Sequence, residues 1–230
     1  MAFFGVGYTF PGMKPITLAE PFECPVKHIP LKRVFDLCFS FLVFVMGFPV
    51  FFLIAIAIRL TSSGKIIYSH ERIGRGGKSF RCFKFRTMYK DADLRLNRVL
   101  AKNPALRQEW EKQRKLKKDP RVTPIGHFLR RTSLDELPQF WNVLRGDLSV
   151  VGPRPVVRSE LETYYGIKAK RILSIRPGLT GLWQVSGRND TTYLTRILLD
   201  EMYIEKQTFL LDLRLVLKTI PTMLFSKGAY

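Results

Sequence analysis

The residues best suited to chemistry in this sequence are the adjacent acids Asp135 and Glu136. Ser133, three residues before Glu136, completes a capping-box pattern, which predicts a helix with both acids in its first turn. The helix dipole and the cations Arg130 and Arg131, themselves candidates for phosphate binding, would keep both carboxylates ionised. One carboxylate could then attack phosphorus while the other holds a hydrated Mg²⁺. Acidic residues also favour helix starts through the dipole alone, so a structural role is the alternative.

A second group of candidate residues lies in the segment SFRCFKFRTM, residues 79–88. Alternating side chains predict a β-strand, in which Lys84 and Arg86 point to one face and Phe83 and Phe85 to the other. The two cations would stand roughly 7 Å apart above a packed underside, an arrangement that suits a diphosphate. The alternative interpretation is an ordinary half-buried strand whose charges are solvated.

Two later segments hold polar side chains among prolines and glycines. Arg154 stands between two prolines, which fix the backbone that presents its guanidinium, and such a group suits a phosphate or a planar base. The glycine-rich residues 175–190 carry Arg176, Gln184 and Arg188. This composition is typical of a mobile binding loop, and it fits a structural loop equally well.

A long apolar segment must hold these residues at a membrane. Residues 37–58 are 22 positions without a charge, about 33 Å of helix and enough to cross a hydrocarbon core of about 30 Å. Gly47 and Pro49, in the middle, predict a bend. Basic residues flank both ends, namely Lys32, Arg33, Arg59 and Lys65. Positive flanks on both sides favour a re-entrant hairpin that enters and leaves by one face, and a single kinked span is the alternative.

The distribution of charge also indicates a membrane-bound protein. The chain of 230 residues has a formal net charge of +19, and nearly all of this excess follows the apolar segment. A basic region joined to a membrane anchor is expected on the cytoplasmic face, against anionic headgroups. The charge by itself indicates an anionic partner, which could be nucleic acid, acidic lipid or a phosphorylated substrate.

These patterns divide the chain into three parts. Residues 1–30, with five prolines, form an irregular lead-in, residues 31–60 a membrane helix, and residues 61–230 a cytoplasmic catalytic domain. Strands at 66–70 and 79–88, separated by a glycine-rich turn, predict a small β-hairpin. The three cysteines and three histidines show neither disulfide nor zinc spacing, which argues against both kinds of cross-link.

Several of these motifs together resemble the bacterial sugar transferase family, which consists of monotopic polyprenyl-phosphate phosphoglycosyl transferases. They are KRVFDL, KFRTM, TSLDELPQFWNVLRGDLSVVGPRP and RPGLTGLWQVSGRND, and the resemblance covers about residues 31–225. It implies a helix-rich α/β protein with a re-entrant helix-break-helix, a small β-hairpin and interfacial amphipathic helices. It also implies the short, catalytic-core type. One departure is Phe48, where family members often have a serine before the proline of the break.

The chemistry that the resemblance implies has two steps and a covalent aspartyl phosphosugar. Asp135 would attack the phosphorus that bears the sugar of a UDP-sugar and expel UMP, and polyprenyl phosphate would then displace Asp135. Glu136 would hold Mg²⁺ on the diphosphate. The resemblance also implies phosphate, nucleotide or substrate contacts for a set of polar residues, namely Lys84, Arg86, Arg154, Arg176, Gln184 and Arg188.

The expected partners are a UDP-sugar, polyprenyl phosphate and the lipids of the bacterial inner membrane, with the catalytic domain on the cytoplasmic face. No nucleic acid is expected, and assembly into a homo-oligomer is compatible with this interpretation. Two other classes of function are consistent with the composition. One is a membrane-tethered nucleic-acid-binding protein, indicated by the net charge of +19 and the interleaved aromatic residues. The other is a membrane scaffold without catalysis, which requires nothing of Asp135.

Overall fold

The computed structural model describes residues 30–113, 116, 119–186 and 192–224. They form a helix-rich α/β fold, as predicted, with the expected small hairpin and a second two-stranded sheet that was not predicted. The helices are α1 (Pro30–Thr61), α2 (Ala92–Lys102), α3 (Pro104–Gln113), α4 (Pro124–Thr132), α5 (Gln139–Arg145), α6 (Arg158–Glu160), α7 (Ala169–Ile172), α8 (Leu182–Val185), α9 (Tyr193–Lys206) and α10 (Phe209–Leu224). The strands are β1 (Ile67–Ile73), β2 (Ser79–Phe85), β3 (Ser149–Val151) and β4 (Gly178–Thr180). The predicted lead-in lies outside the described residues, apart from Pro30.

α1 is a single helix of 32 residues that includes the whole apolar segment. Helical structure continues without interruption through Gly47 and Pro49, and the bend expected there stays a prediction. Proline removes one backbone donor, and apolar helices in membranes tolerate that loss. Within the described part of the chain, α1 is the one helix long and apolar enough to cross a membrane, and only 11% of its apolar window is buried. It is therefore not the core helix of a soluble protein.

One stripe of α1 contacts the rest of the protein. Asp36, Ser40, Ile54 and Ile58 are buried, and the residues between them on the same face are half-buried. These positions recur every three or four residues, as one face of a helix requires. The remaining faces carry exposed aromatic and aliphatic side chains along the whole helix. Such a surface is suited to lipid rather than to water.

Polar contacts fasten the first turns of α1. Lys32 Nζ forms a salt bridge of 2.6 Å with Asp212 Oδ2 on α10. The carboxylate of Asp36 accepts hydrogen bonds from Ser149 Oγ and from the backbone N–H of Val150 on β3. Asp36 and Asp212 are both fully buried, so each charge needs these partners to offset its desolvation. The contacts join the first described helix to the last.

The predicted β-hairpin is confirmed. β1 and β2 pair antiparallel, with Tyr68 opposite Lys84 and Ile73 opposite Ser79. The turn between them uses Gly76 and Gly77 at φ values of 68° and 78°, a region that side chains other than glycine rarely adopt. The hairpin packs Phe85 against the end of α1, and it thereby fixes where Lys84 points.

The second sheet holds the two later candidate segments together. β3 and β4 pair in parallel, with Ser149 opposite Gly178 and Val151 opposite Thr180. A Cβ atom on Gly178 would collide with the backbone nitrogen of Gly152, so only glycine allows this approach. The first part of the glycine-rich segment 175–190 is therefore structural, and it lies beside the turn that carries Arg154.

Candidate active site

The acidic pair lies on a short turn between two helices. α4 begins after Thr123, whose Oγ1 accepts a hydrogen bond of 2.9 Å from the backbone N–H of Gly126, and it ends at Thr132. Ser133 follows with φ 56° and ψ 15° and is the C-cap of α4. A 3-10 turn, Leu134–Glu136, comes next and carries both acids.

The predicted capping box at Ser133 is therefore wrong. An N-cap residue has an extended backbone, and its side-chain oxygen accepts a hydrogen bond from a following N–H. Ser133 instead lies in the left-handed region and makes no such bond, because α4 runs up to it from the N-terminal side. Pro138, which has no N–H, separates the turn from α5. The two carboxylates consequently stand on a short 3-10 turn between α4 and α5.

Lys84 connects the two acids. Its Nζ donates a hydrogen bond of 2.5 Å to Glu136 Oε1 and lies 4.0 Å from Asp135 Oδ2. The side chain of Glu136 is 43% exposed, whereas that of Asp135 is 12% exposed. β2 therefore places one cation next to both carboxylates. A cation in this position can form charge-assisted hydrogen bonds with anionic groups.

The electrostatic surroundings give the two acids different pKa values. Burial raises the pKa of Asp135 to about 6, with a further increase from Glu136 and an opposing effect of Lys84. Burial also acts to raise the pKa of Glu136, but the charge and hydrogen bond of Lys84 outweigh it, and the pKa is lowered. The predicted effect of the nearby cations on ionisation is thus opposed at Asp135, where burial outweighs it and raises the pKa. Near neutral pH both are predominantly charged.

A cavity of ≈370 Å³ adjoins the acidic turn. Its lining includes the polar side chains of Lys84, Glu136, Arg154 and Gln184 together with aromatic and aliphatic side chains. Asp135 is not among the lining residues, although Ser133 and Glu136 on either side of it are. Cys82 also lines the cavity, but burial raises the pKa of its thiol to about 11. That thiol is protonated at neutral pH and is unsuited to nucleophilic attack.

Besides Lys84, three of the residues predicted to bind substrate lie at the site. The guanidinium of Arg154 lines the cavity 5.4 Å from the centre of the Trp183 ring, a distance at which a cation and a ring attract each other. Gln184 lines the cavity, and its buried Oε1 has no hydrogen-bond partner among the described residues. Arg130 lowers the pKa of Asp135 and donates a hydrogen bond of 3.0 Å to Thr87 Oγ1.

The other residues predicted to bind substrate lie away from the cavity or outside the described residues. Arg86 donates to the carbonyl and hydroxyl of Ser62, after the end of α1, because β2 ends at Phe85 and the face alternation stops there. Arg176 donates a hydrogen bond of 2.9 Å to the Gly146 carbonyl, beside the C-terminus of α5. Neither lines the cavity. Two further candidates complete the set: Arg131, which is exposed and away from the cavity lining, and Arg188, which lies outside the described residues.

Arg72 is a cavity residue that sequence reasoning missed. It lies on β1, lines the same cavity as Arg154, and its Nη1 is 3.9 Å from Glu160 Oε2. Burial lowers the pKa of its guanidinium, and the neighbouring charge of Arg154 lowers it further. The register of the hairpin explains why Arg72 lies near Lys84. Tyr68 is opposite Lys84, and Arg72 lies on the same face of β1 as Tyr68.

A buried acid, Asp200, lies near Arg154. Asp200 on α9 is 1% exposed. Burial raises its pKa to about 8, and Arg154 opposes this rise. At neutral pH Asp200 is therefore mostly protonated, and it carries little charge to compete with an anion for Arg154.

Comparison with known proteins identifies the family. The family model for the bacterial sugar transferase matches residues 27–226. The exopolysaccharide production protein ExoY of Sinorhizobium fredii is 48% identical over 199 residues, which cover 86% of this chain and 88% of that protein. The undecaprenyl-phosphate galactose phosphotransferase of Salmonella typhimurium is 47% identical over 201 residues, covering 87% of this chain and 42% of that one.

A third relative is the UDP-glucose:undecaprenyl-phosphate glucose-1-phosphate transferase of Klebsiella pneumoniae, 37% identical over 218 residues. The match covers 91% of this chain and 44% of that protein. The chain thus spans most of ExoY and less than half of the other two relatives. The family resemblance seen in the sequence motifs is confirmed: the chain is a transferase enzyme that belongs to the bacterial sugar transferase family.

Proposed function

We propose that this enzyme transfers a sugar-1-phosphate from a UDP-sugar to undecaprenyl phosphate, giving undecaprenyl-diphosphate-sugar and UMP. The names of two relatives state this kind of donor, acceptor or both. The observation that carries the proposal is the acidic pair bridged by Lys84, with Lys84 and Glu136 lining a cavity that also has aromatic and aliphatic walls. Family membership favours this enzyme over the nucleic-acid-binding and scaffold alternatives, which require no acidic pair.

In the first half-reaction, the carboxylate of Asp135 attacks the phosphorus that bears the sugar. A bond forms from Asp135 to that phosphorus, the bond from the same phosphorus to the UMP oxygen breaks, and UMP leaves. A pKa of about 6 leaves Asp135 mostly ionised at neutral pH and more basic than an ordinary aspartate, which favours nucleophilic attack. Lys84, Arg72 and Arg154 supply positive charge for the diphosphate.

In the second half-reaction, an oxygen of undecaprenyl phosphate attacks the same phosphorus and Asp135 leaves as a free carboxylate. The new phosphorus–oxygen bond joins the sugar phosphate to the lipid phosphate, and the enzyme returns to its starting state. The product is lipid-linked, which suits the first membrane step of surface glycoconjugate synthesis.

The residues present fit magnesium as an ion held partly by the substrate. Glu136 has 43% of its side chain exposed toward the cavity, where a diphosphate would lie. Among the described residues no cluster of three or more His, Cys, Asp or Glu forms a protein cage for a metal. Mg²⁺ commonly binds one or two carboxylates together with substrate phosphates and water, so Glu136 would hold it. The bound ion would neutralise charge on the diphosphate.

The proposed location is the cytoplasmic face of the inner membrane, with α1 re-entrant. The buried stripe on α1 runs from Asp36 to Ile58, so both halves of the helix face the catalytic domain. A helix that crossed the bilayer would carry one half away from that domain.

The proposal is tested with purified protein, a panel of UDP-sugars, undecaprenyl phosphate and Mg²⁺. UMP release and a lipid-linked sugar phosphate are expected from at least one donor. Asp135→Asn should abolish both, together with labelled phosphosugar trapped on the protein after rapid quenching. Glu71→Gln, which neutralises an exposed carboxylate on β1, is the matched control and should retain activity. Wild-type turnover by Asp135→Asn would refute the nucleophile.

A further inference from the structure

Arg72 is held at the cavity wall by contacts that use one nitrogen of its guanidinium. Its Nη1 lies 3.9 Å from Glu160 Oε2 and donates a hydrogen bond of 3.4 Å to the Pro155 carbonyl. Burial and the charge of Arg154 both disfavour the charged form of Arg72, whereas the charge of Glu160 favours it. The carboxylate of Glu160 therefore offsets part of the repulsion between the two arginines of the cavity.

Glu160 is itself fixed by two other parts of the chain. Its Oε1 accepts a hydrogen bond of 3.2 Å from the hydroxyl of Tyr193, the first residue of α9. Its Oε2 accepts a hydrogen bond of 3.3 Å from the backbone N–H of Val157, which precedes α6. The side chain of Glu160 is only 23% exposed, so these bonds are stronger than they would be in water. One carboxylate thus connects β1, the segment before α6 and the start of α9.

The ring of Tyr193 has contacts that do not depend on its hydroxyl. It stacks on the ring of Tyr164, with centroids 3.9 Å apart and planes at 9°. The guanidinium of Arg196 lies 5.1 Å from its centroid. Both contacts involve the aromatic face. Removal of the hydroxyl would therefore release Glu160 and leave the ring in place.

We propose that Glu160 and Tyr193 are positioning residues for the donor, which together hold Arg72 so that its guanidinium meets the diphosphate of the UDP-sugar. Neither residue is among those that line the cavity, so each acts through Arg72. The separation of 3.9 Å between Arg72 and Glu160 is too long for a direct hydrogen bond. Arg72 is thereby oriented while its charge stays available to an anion. This inference rests on the proposed function, because it concerns the donor of the same reaction.

The test uses two substitutions that keep the charge of the site. Tyr193→Phe removes the hydroxyl and retains the ring, and Glu160→Asp shortens the side chain so that its carboxylate is withdrawn from its partners. Glu162→Asp, the same change at an exposed position nearby, is the matched control. Each change is made alone and together with Arg72→Gln. The Kd of UDP and kcat/KM for the UDP-sugar are measured for every variant, and thermal unfolding checks that each is folded.

Tyr193→Phe and Glu160→Asp are expected to raise the Kd of UDP by about threefold to tenfold, the effect of losing one hydrogen bond. The value of kcat/KM for the UDP-sugar should fall by a similar factor, and Glu162→Asp should stay near wild type. In protein that already carries Arg72→Gln, the same two changes should have no further effect, since the residue through which they act is gone. If Glu160→Asp does not fold, Tyr193→Phe completes the cycle with Arg72→Gln.

Three results would overturn the inference: losses that add to those of Arg72→Gln, unchanged UDP binding in Tyr193→Phe, or an equal loss in Glu162→Asp. The first would indicate that the two residues shape the cavity independently of Arg72, and the third would indicate a general effect on this part of the fold. If UDP binding follows the expected cycle but wild-type protein forms no lipid-linked product from any donor, the proposed function fails instead.

Discussion

Replacing Lys84 by glutamine removes the ammonium that lies between the two carboxylates. Lys84 Nζ is 4.0 Å from Asp135 Oδ2 and is hydrogen-bonded to Glu136. Its positive charge favours the ionised form of Asp135 and offsets the negative charge of Glu136. Without the ammonium, the burial of Asp135 and the unscreened negative charge of Glu136 would both raise the pKa of Asp135.

The size of the change follows from the distance. At 4.0 Å the attraction between unit charges is about 1 kcal/mol in bulk water and about 4 kcal/mol at an effective dielectric constant of about 20. Since about 1.4 kcal/mol corresponds to one pKa unit, the pKa of Asp135 should rise from about 6 by about one to three units. At pH 7 the ionised fraction of Asp135 would then fall by about twofold to a hundredfold.

The assay follows the first half-reaction by rapid quenching with labelled UDP-sugar between pH 5 and pH 9. Attack requires the carboxylate, so the wild-type rate should rise with pH through about 6. The rise in Lys84→Gln should be displaced to higher pH, and Lys84→Arg, which keeps the charge, should restore most of the displacement. A Lys84→Gln profile that coincides with wild type on the acidic side would refute the reasoning.

Three further outcomes are expected. Arg72→Gln should raise KM for the UDP-sugar about tenfold or more by removing a phosphate contact, whereas Arg81→Gln, an exposed control on the other strand of the hairpin, should not; steady-state kinetics distinguish them. Asp200 has a pKa of about 8 in the folded protein, so its ionisation opposes folding as pH rises from about 4 to about 8. Asp200→Asn should therefore stabilise the protein by about 1–4 kcal/mol at pH 7 and hardly at all at pH 4, measured by unfolding in detergent. Single cysteines at Leu31 and Ser63 should both be protected from thiol reagents outside the cell, and labelling of one alone would indicate a full span.

Local patterns predicted the parts of the fold that local forces decide. Alternation and a glycine turn predicted the hairpin and the position of Lys84, and uncharged length predicted α1. The acidic pair was found from its neighbours in sequence, although the capping box at Ser133 was wrong. The αL conformation there depends on α4, whose end was not marked by any residue with a strong preference to stop a helix.

Long-range contacts decided the rest. Arg86 and Arg176 have the composition of phosphate ligands, but each is used on backbone carbonyls that the fold brings to it. Arg72 carries no motif of its own and joins the site only through pairing with the neighbouring strand. Pro49 lies within α1 without ending the helix, because helical turns continue on both sides of it. These contacts involve residues that are distant in the sequence, so local sequence patterns do not predict them.

The salt bridge between Lys32 and Asp212 joins positions 180 residues apart. During synthesis at about 5–20 residues per second, α1 therefore emerges roughly 10–40 s before its partner on α10 exists. Throughout that interval the ammonium of Lys32 has to stay hydrated at the membrane surface while the apolar turns that follow it insert. Closure around Val151 and Tyr203, which Lys32 also contacts, becomes a late event of biogenesis, which a nascent chain halted before α10 cannot complete.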